Sequence, residues 1–391
     1  MKKQHPNMKI GMFTNTYRPV LTGVVVSVDS FKRGLEALDQ EVHIFAPHYY
    51  TAEKKRKEEK IHRYKSIDIS IDSEFNPIKS LTFPVLSNRI PGIIKKLDLD
   101  IIHSHHPWII GNAAKYFAKK YNIPLVFTYH TQYEKYAHYL PFDQDITSII
   151  AKKLSLHYCS KCDCVIAPTE SIKKYLLKNK VKTRIEIIPT GIDIKKFQGL
   201  EKNKIRKKYN VKEDENLLLY VGRIGLEKNI FFLLKSFKKM IKSLPDTKLL
   251  IAGCGPEEEK VKEFIEKNSL KKNVMLAGSV PHKDIPSYYA AADLFVFASK
   301  TETQGIIFLE AKAAGLPTIA VKAPGSVDTI VHNKDGILVP ESIDRFSKEA
   351  VKLLDDKDLM RKMSENAEKN VKPHSIENTS KKLLSVYRSL R

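Results

Sequence analysis

At 391 residues, with 42% hydrophobic and 29% charged residues, the chain is too long for one hydrophobic core and too apolar for a disordered protein, so two globular domains are expected. No stretch of about eighteen apolar residues occurs, and Met1–Met8 is polar rather than a charged end leading into an apolar signal core, which argues against a membrane span and for the cytoplasm. Lys+Arg 67 against Asp+Glu 45 give a formal net charge of +22, a field that draws nucleotides, anionic lipid or nucleic acid without choosing among them, and that a solvated basic surface explains equally well.

In chain order, Lys9–Thr14 reads as a strand, Val24–Leu38 as a helix, Glu41–Ala46 as a strand, Ile101–His105 as a strand, Gly111–Tyr121 as a helix and Leu125–Tyr129 as a strand. The alternation continues through Ile146–Cys159, Cys164–Ala167, Thr169–Lys178 and Arg184–Ile188. Ala52–Lys65, rich in Lys and Arg, reads as an exposed loop or helix end. The rhythm breaks near Pro189–Asp193 and a charged stretch from Lys195 to Glu215 follows, as a linker and first helix would. It then restarts with Leu217–Val221, Ile230–Ser243, Lys248–Ala252, Glu257–Asn268 and Val274–Ala277, and runs on to Val339. Helical segments follow from Asp344, and Ser375 is placed to cap a last helix ending at Leu390.

Short apolar strands alternating with longer helical patterns imply parallel sheets covered on both faces. The expected class is α/β, with two Rossmann-like doubly wound domains: 1–195, 196–373, and a C-terminal helix, 374–391, crossing back to the first. Ligands of such sheets bind at the carboxyl ends of the strands, here expected in a cleft between the domains.

Four cysteines do not suggest a disulfide framework. Cys159, Cys162 and Cys164 lack a second Cys or His pair at metal-site spacing and border the apolar run Val165–Ala167, so they read as structural thiols.

Chemistry-bearing residues gather after strands. Thr301-Glu302-Thr303-Gln304-Gly305 follows the strand Asp293–Ala298 and opens a helix that carries Glu310 about two turns in. Backbone N–H groups near Gly305 suit phosphate or sugar oxygens, and Glu310 suits ribose hydroxyls; an ordinary acidic helix start has the same letters. Val221-Gly222-Arg223, with Glu227-Lys228-Asn229, follows another strand, as does Gly253-Cys254-Gly255-Pro256. In the first half, Leu21-Thr22-Gly23-Val24, His103-Ser104-His105-His106-Pro107 and Tyr129-His130-Thr131-Gln132-Tyr133-Glu134-Lys135-Tyr136 hold the same position. A metal reading of the histidines lacks a carboxylate partner in sequence.

Taken together and in this order, these segments resemble glycosyltransferase family 4, retaining enzymes of the GT-B fold. The resemblance implies that Arg223 and Lys228 neutralise the donor diphosphate, that Glu302 positions donor-sugar hydroxyls and that Glu310 holds ribose. It makes Gly23 a close-approach residue at the phosphate, and Gly222, Gly255, Gln304 and Gly305 part of the donor site. His105 is implied to contact the donor sugar near the reacting centre, with His103 structural. His130, Tyr133 and Tyr136 are implied to line the acceptor side, though the two tyrosines fit the packing of an amphipathic turn equally well. The family is described by front-face attack and needs no catalytic metal or other cofactor.

The wording of Thr301–Gly305, Gln304 above all, and of His130–Tyr136 resembles the branch that glucosylates diacylglycerol at a membrane surface. That implies a nucleotide-sugar donor, UDP-glucose, a lipid acceptor, 1,2-diacylglycerol, and a peripheral enzyme on the inner face of the cell membrane. Candidate membrane contacts lie between Asn88 and Lys96, where Arg89, Lys95 and Lys96 flank Ile90, Ile93, Ile94 and Leu97, although a helix packed on the sheet has the same pattern. Phosphatidylinositol, a polysaccharide or a sugar phosphate remain alternative acceptors. A nucleic-acid-binding protein is disfavoured, since neither a zinc pattern nor an aromatic RNA-binding motif is present. Oligomeric state is not legible.

Overall fold

A computed structural model describes residues 7–20, 22–48, 59–64, 66–67, 83–84, 89–134 and 143–391. These divide into two compact units, the first comprising the described residues up to Gly191 together with Ile376–Arg391, the second Ile192–Ser375.

The first unit contains β1 (Lys9–Phe13), α1 (Gly23–Glu36), β2 (Glu41–Pro47), β3 (Ile61–Tyr64), β4 (Ser66–Ile67), β5 (Phe83–Pro84), α2 (Arg89–Leu97) and β6 (Ile101–Ser104). There follow α3 (Ile109–Tyr121), β7 (Leu125–Thr128), α4 (Gln144–Cys159), β8 (Cys164–Ala167), α5 (Glu170–Lys178) and β9 (Arg184–Ile187). Seven strands pair in the order β3-β2-β1-β6-β7-β8-β9, and every adjacent pair is parallel. Strands buried on both faces explain the continuous apolar runs: Ile101, Ile102, Val126, Phe127, Val165 and Ile166 are all inaccessible.

One part of Ala52–Lys65 departs from the loop expected there. Ile61–Tyr64 is a strand on the edge of the sheet, paired with Ile44–Pro47, and Tyr64 is buried with its hydroxyl donating to the Thr14 carbonyl at 2.9 Å. Its short pattern, Ile-His-Arg-Tyr, was hidden by the surrounding basic residues; as an edge strand it needs little apolar sequence.

The second unit contains α6 (Asn203–Lys208), β10 (Asn216–Val221), α7 (Ile230–Met240), β11 (Thr247–Ala252), α8 (Glu258–Lys267), β12 (Val274–Gly278), α9 (Ile285–Ala291) and β13 (Leu294–Phe297). It continues with α10 (Ile306–Ala313), β14 (Thr318–Val321), α11 (Ser326–Thr329), β15 (Gly336–Val339), α12 (Ile343–Asp355) and α13 (Lys357–Val371). Its six parallel strands run β12-β11-β10-β13-β14-β15.

The last helix, α14 (Ile376–Leu390), belongs to the first unit, where it packs on α1. Gly34 permits that approach, because a Cβ there would stand 2.0 Å from Ser380 Oγ. Leu383, Leu384 and Tyr387 join the core beneath β1 and β8.

In both sheets the strand order reverses once, between β1 and β6 in the first unit and between β10 and β13 in the second. At such a switch point adjacent crossovers leave on opposite faces and open a crevice at the carboxyl ends of the strands. Four of the six segments singled out in the sequence leave β1, β6, β10 and β13 there; the other two follow the neighbouring strands β7 and β11.

Candidate active site

The second unit gathers its charged residues at the β10/β13 switch point. Beyond β10, Arg223 and a 3-10 turn at Leu226–Lys228 lead to Asn229, whose left-handed backbone (φ 56°) starts α7. Beyond β13, the loop folds onto that turn: Ser299 Oγ donates to the Glu227 carbonyl at 3.2 Å, and Lys228 Nζ forms an ion pair with Glu302 Oε1. Arg223 Nη1 lies 3.8 Å from Glu227. Arg223, Lys228 and Glu302, set apart by up to 79 positions in sequence, thus stand in one cluster that remains partly open to solvent.

Glycines make the close packing feasible. A Cβ on Gly253 would sit 1.9 Å from the Gly222 carbonyl oxygen and one on Gly255 2.2 Å from that of Ile224. Gly253 and Gly255 therefore hold the β10 and β11 exits together, while a Cβ on Gly222, at φ 154°, would stand 3.2 Å from the Tyr220 hydroxyl.

At the start of α10, Gly305 is left-handed (φ 69°) and offers no side chain to cap the helix, so the first-turn N–H groups have no capping acceptor from this residue, an arrangement that receives anions. About one turn in, Glu310 is buried and accepts from the Tyr289 hydroxyl at 2.9 Å. Burial raises its carboxyl to about 7, the Tyr289 hydrogen bond opposing only in part.

Gln304 is buried, and its carbonyl accepts from Thr329 Oγ1 at 3.0 Å. Behind it stands a pair that the sequence reading missed. Lys312, 3% exposed, donates to the Thr329 carbonyl and lies 2.7 Å from Asp335 Oδ2, which is inaccessible and also accepts from Asn370 Nδ2 at 2.7 Å. Lys312 thereby ties α10 to the segment that holds Gln304. The available signal was a lysine in the apolar run Ile306–Ala314, where a charge needs a partner.

The first unit assembles neutral groups instead. His105 is inaccessible; its Nδ1 lies 2.9 Å from His130 Nε2 and the two rings stack at 5.2 Å. Its Nε2 is buried with no protein partner among the described residues. His103 has both nitrogens occupied, Nδ1 by the Tyr387 hydroxyl at 2.6 Å and Nε2 by Thr128 Oγ1 at 2.7 Å, which makes it the structural member of the pair. His106 Nδ1 accepts from the Asn15 amide at 3.2 Å. Burial holds His103, His106 and His130 down to about 3 and His105 well below its ordinary value, so the cluster is uncharged at neutral pH.

Gly23 begins α1, with Thr22 as its N-cap. No atom lies within 4 Å of where its Cβ would be, so neither packing nor the turn demands glycine there. Tyr133 stacks obliquely on Trp108 at 4.4 Å between centroids. Tyr136 lies outside the described residues. Among the described residues no three His, Cys, Asp or Glu side chains gather as a metal site, and Cys159, Cys162 and Cys164 are buried thiols, their pKa values raised by burial.

The amphipathic segment Arg89–Leu97 turns its apolar face inward. Ile90 and Ile94 are buried, and Ile93 and Leu97 pack partly buried against the same core. No helix among the described residues is long and apolar enough to cross a membrane.

Residues 21–196 match Glycosyltransferase Family 4, and residues 201–370 match Glycosyl transferases group 1. An α-monoglucosyldiacylglycerol synthase of Acholeplasma laidlawii is 31% identical over 98% of this chain and 97% of its own. One of Streptococcus pneumoniae is 35% identical over 80% of this chain and 71% of its own. Among solved structures, a sucrose-phosphate synthase from Thermosynechococcus elongatus superposes with a TM-score of 0.82 at 21% identity, covering 98% of this chain and 99% of that one, which shows the GT-B fold. The chain belongs to glycosyltransferase family 4, in the branch of the α-monoglucosyldiacylglycerol synthases.

Proposed function

We propose that this enzyme transfers glucose from UDP-glucose to the free hydroxyl of 1,2-diacylglycerol, with retention, giving an α-glucosyl lipid. The acceptor rests on similarity to two α-monoglucosyldiacylglycerol synthases, one over nearly the full length of both chains and one over 80% of this chain. The observation that carries donor binding is the ion pair of Lys228 with Glu302, beside the Arg223–Glu227 contact, on the loops beyond β10 and β13, with the uncapped start of α10 following Glu302 in the chain and Glu310 buried within that helix.

In this reading the bond between glucose C1 and the diphosphate oxygen breaks with its electron pair going to the diphosphate. Arg223, Lys228 and the α10 N–H groups take up the charge that develops there. The acceptor oxygen bonds to C1 on the face the diphosphate leaves, and its proton passes to the departing phosphate oxygen. Glu302 orients sugar hydroxyls, and Glu310 accepts from ribose hydroxyls when ionised. His105 presents Nε2 to a donor-sugar hydroxyl, with His130 fixing its ring through Nδ1. No metal or other cofactor enters. The net charge of +22 suits attachment to the anionic inner face of the cell membrane, where the acceptor resides.

The test is transfer of labelled glucose from UDP-glucose to diacylglycerol in mixed anionic vesicles. An α-glucosyl lipid made by the parent and not by Glu310→Ala is expected. UDP release without a lipid product would contradict the acceptor and direct the search to phosphatidylinositol, polysaccharide or sugar phosphate.

A further inference from the structure

Glu341 stands between β15 and α12 and takes hold of both donor-site loops of the second unit. Its Oε1 accepts from Asn229 Nδ2 and its Oε2 from Lys300 Nζ, each at 2.8 Å. Asn229 directly follows Lys228, and Lys300 lies two residues before Glu302. One carboxylate thus joins the loop beyond β10 to the loop beyond β13, at positions that flank the Lys228–Glu302 ion pair.

The conformation of Asn229 marks this contact as more than incidental. Its backbone is left-handed (φ 56°), which glycine adopts without strain. It also holds the N-cap position of α7, where an asparagine side chain ordinarily accepts from the first turn, yet it makes no such bond. Its amide is turned instead to Glu341, 112 positions away. Glu341 in turn is carried by well-packed elements. β15 pairs with β14 along its length, and α12 packs on α7, with Phe346 edge-on to Phe232 at 5.7 Å and Ser347 Oγ donating to the Ser236 carbonyl at 2.8 Å. The Lys300 hydrogen bond holds the Glu341 carboxyl below the usual carboxylate range, so it is ionised at neutral pH.

Lys300 and Glu341 are both exposed, and an exposed ion pair contributes little to stability. Its leverage is on geometry, since displacing a catalytic group by about 1 Å costs on the order of a hundredfold in rate. We propose that Glu341 is a positioning residue of the donor site, a clasp that keeps Lys228 and Glu302 at their working separation. This rests on the reading of those two residues as donor-binding. It adds a determinant of the rate beyond the edge strand β15, outside every segment singled out in the sequence.

The experiment follows UDP release from UDP-glucose by the full chain in the presence of diacylglycerol vesicles, with melting temperatures taken on the same preparations. Glu341→Ala should lower kcat/KM for UDP-glucose about tenfold or more, while its melting midpoint moves by less than about 2 °C. Asn229→Gly/Lys300→Met, which removes both partners and leaves the carboxylate, should match that loss. Adding Glu341→Ala to this pair should cost nothing further, as for groups that act through one contact. Glu341→Ala at the parent rate overturns the proposal, and so does a triple variant slower than the double one. Should Glu341→Ala not fold, Asn229→Gly/Lys300→Met carries the test: the same loss is expected, and the parent rate overturns the clasp. A parent that releases no UDP contradicts the donor reading and the clasp with it, whereas UDP release at equal rates by parent and Glu341→Ala contradicts the clasp alone.

Discussion

The two units meet the same architectural problem with opposite chemistry. At its switch point the second unit places Arg223, Lys228, Glu302 and Glu310, while the first places His103, His105, His106 and His130, all buried and neutral. In the proposed reaction the charged unit suits the donor diphosphate. A diphosphate that gains negative charge as its bond breaks calls for cations and helix N–H groups. A sugar has only hydroxyls to recognise, and a neutral imidazole both donates and accepts.

Deleting the charge in the second unit should have the largest effect. Lys228→Ala should lower kcat/KM by about 100- to 1,000-fold, comparable to removing one transition-state donor. It also leaves Glu302 without its cation, so Lys228→Ala/Glu302→Gln should recover part of any lost stability but not the rate.

Next, Lys312→Met should destabilise the second unit by about 3–5 kcal/mol, because Asp335 stays buried without its cation. Thermal melts check this, and a raised donor KM should accompany it through loosened Gln304.

Acid separates the units by sign. The histidines have folded pKa values below the ordinary value, so their contribution is complete above about 6.5 and is lost as pH falls toward 3. By pH 5 this amounts to about 2 kcal/mol for each histidine. Trp108, the single tryptophan, lies in the first unit and should report its unfolding between pH 6.5 and 4. Glu310 has the opposite sign: its pKa is raised, so protonation favours the folded second unit below about 4.5 and that gain is lost as pH rises through about 7. If ribose binds the ionised carboxylate, donor KM should fall as pH rises from 6 to 8 in the parent and stay flat in Glu310→Gln.

The smallest effect is expected from Tyr387→Phe, which removes the hydroxyl at His103 Nδ1. A loss of about 1 kcal/mol in stability follows from one hydrogen bond. A fall in kcat beyond twofold would mean that α14 also tunes His105 through the His103 ring, which lies tilted against it at 4.3 Å between centroids.

Much of this was legible because parallel strands buried on both faces announce themselves as apolar runs, and because motif residues sit directly after them. Glu302, Glu310 and Arg223 could be read from their positions after β13 and β10. What sequence did not yield depends on distance in the fold. Lys312 finds Asp335 and Asn370 only once α10 packs on α13, and His103 finds Tyr387 only once the last helix joins the first unit. β3 was lost among lysines because an edge strand needs few apolar residues. α2 and α4 show the limit of periodicity: α2 turns Ile90 and Ile94 into the core, whereas α4 buries Tyr158 and Cys159 but leaves Ile146, Ile149, Ile150 and Leu154 exposed.

The division between the units is tested most directly by titrating UDP into the parent, Lys228→Ala and His105→Ala by calorimetry. The prediction is at least a tenfold loss of UDP affinity in Lys228→Ala and unchanged affinity in His105→Ala, with glucosyl transfer impaired in both. UDP affinity kept in Lys228→Ala, or lost in His105→Ala, would contradict the assignment of the diphosphate to the charged unit.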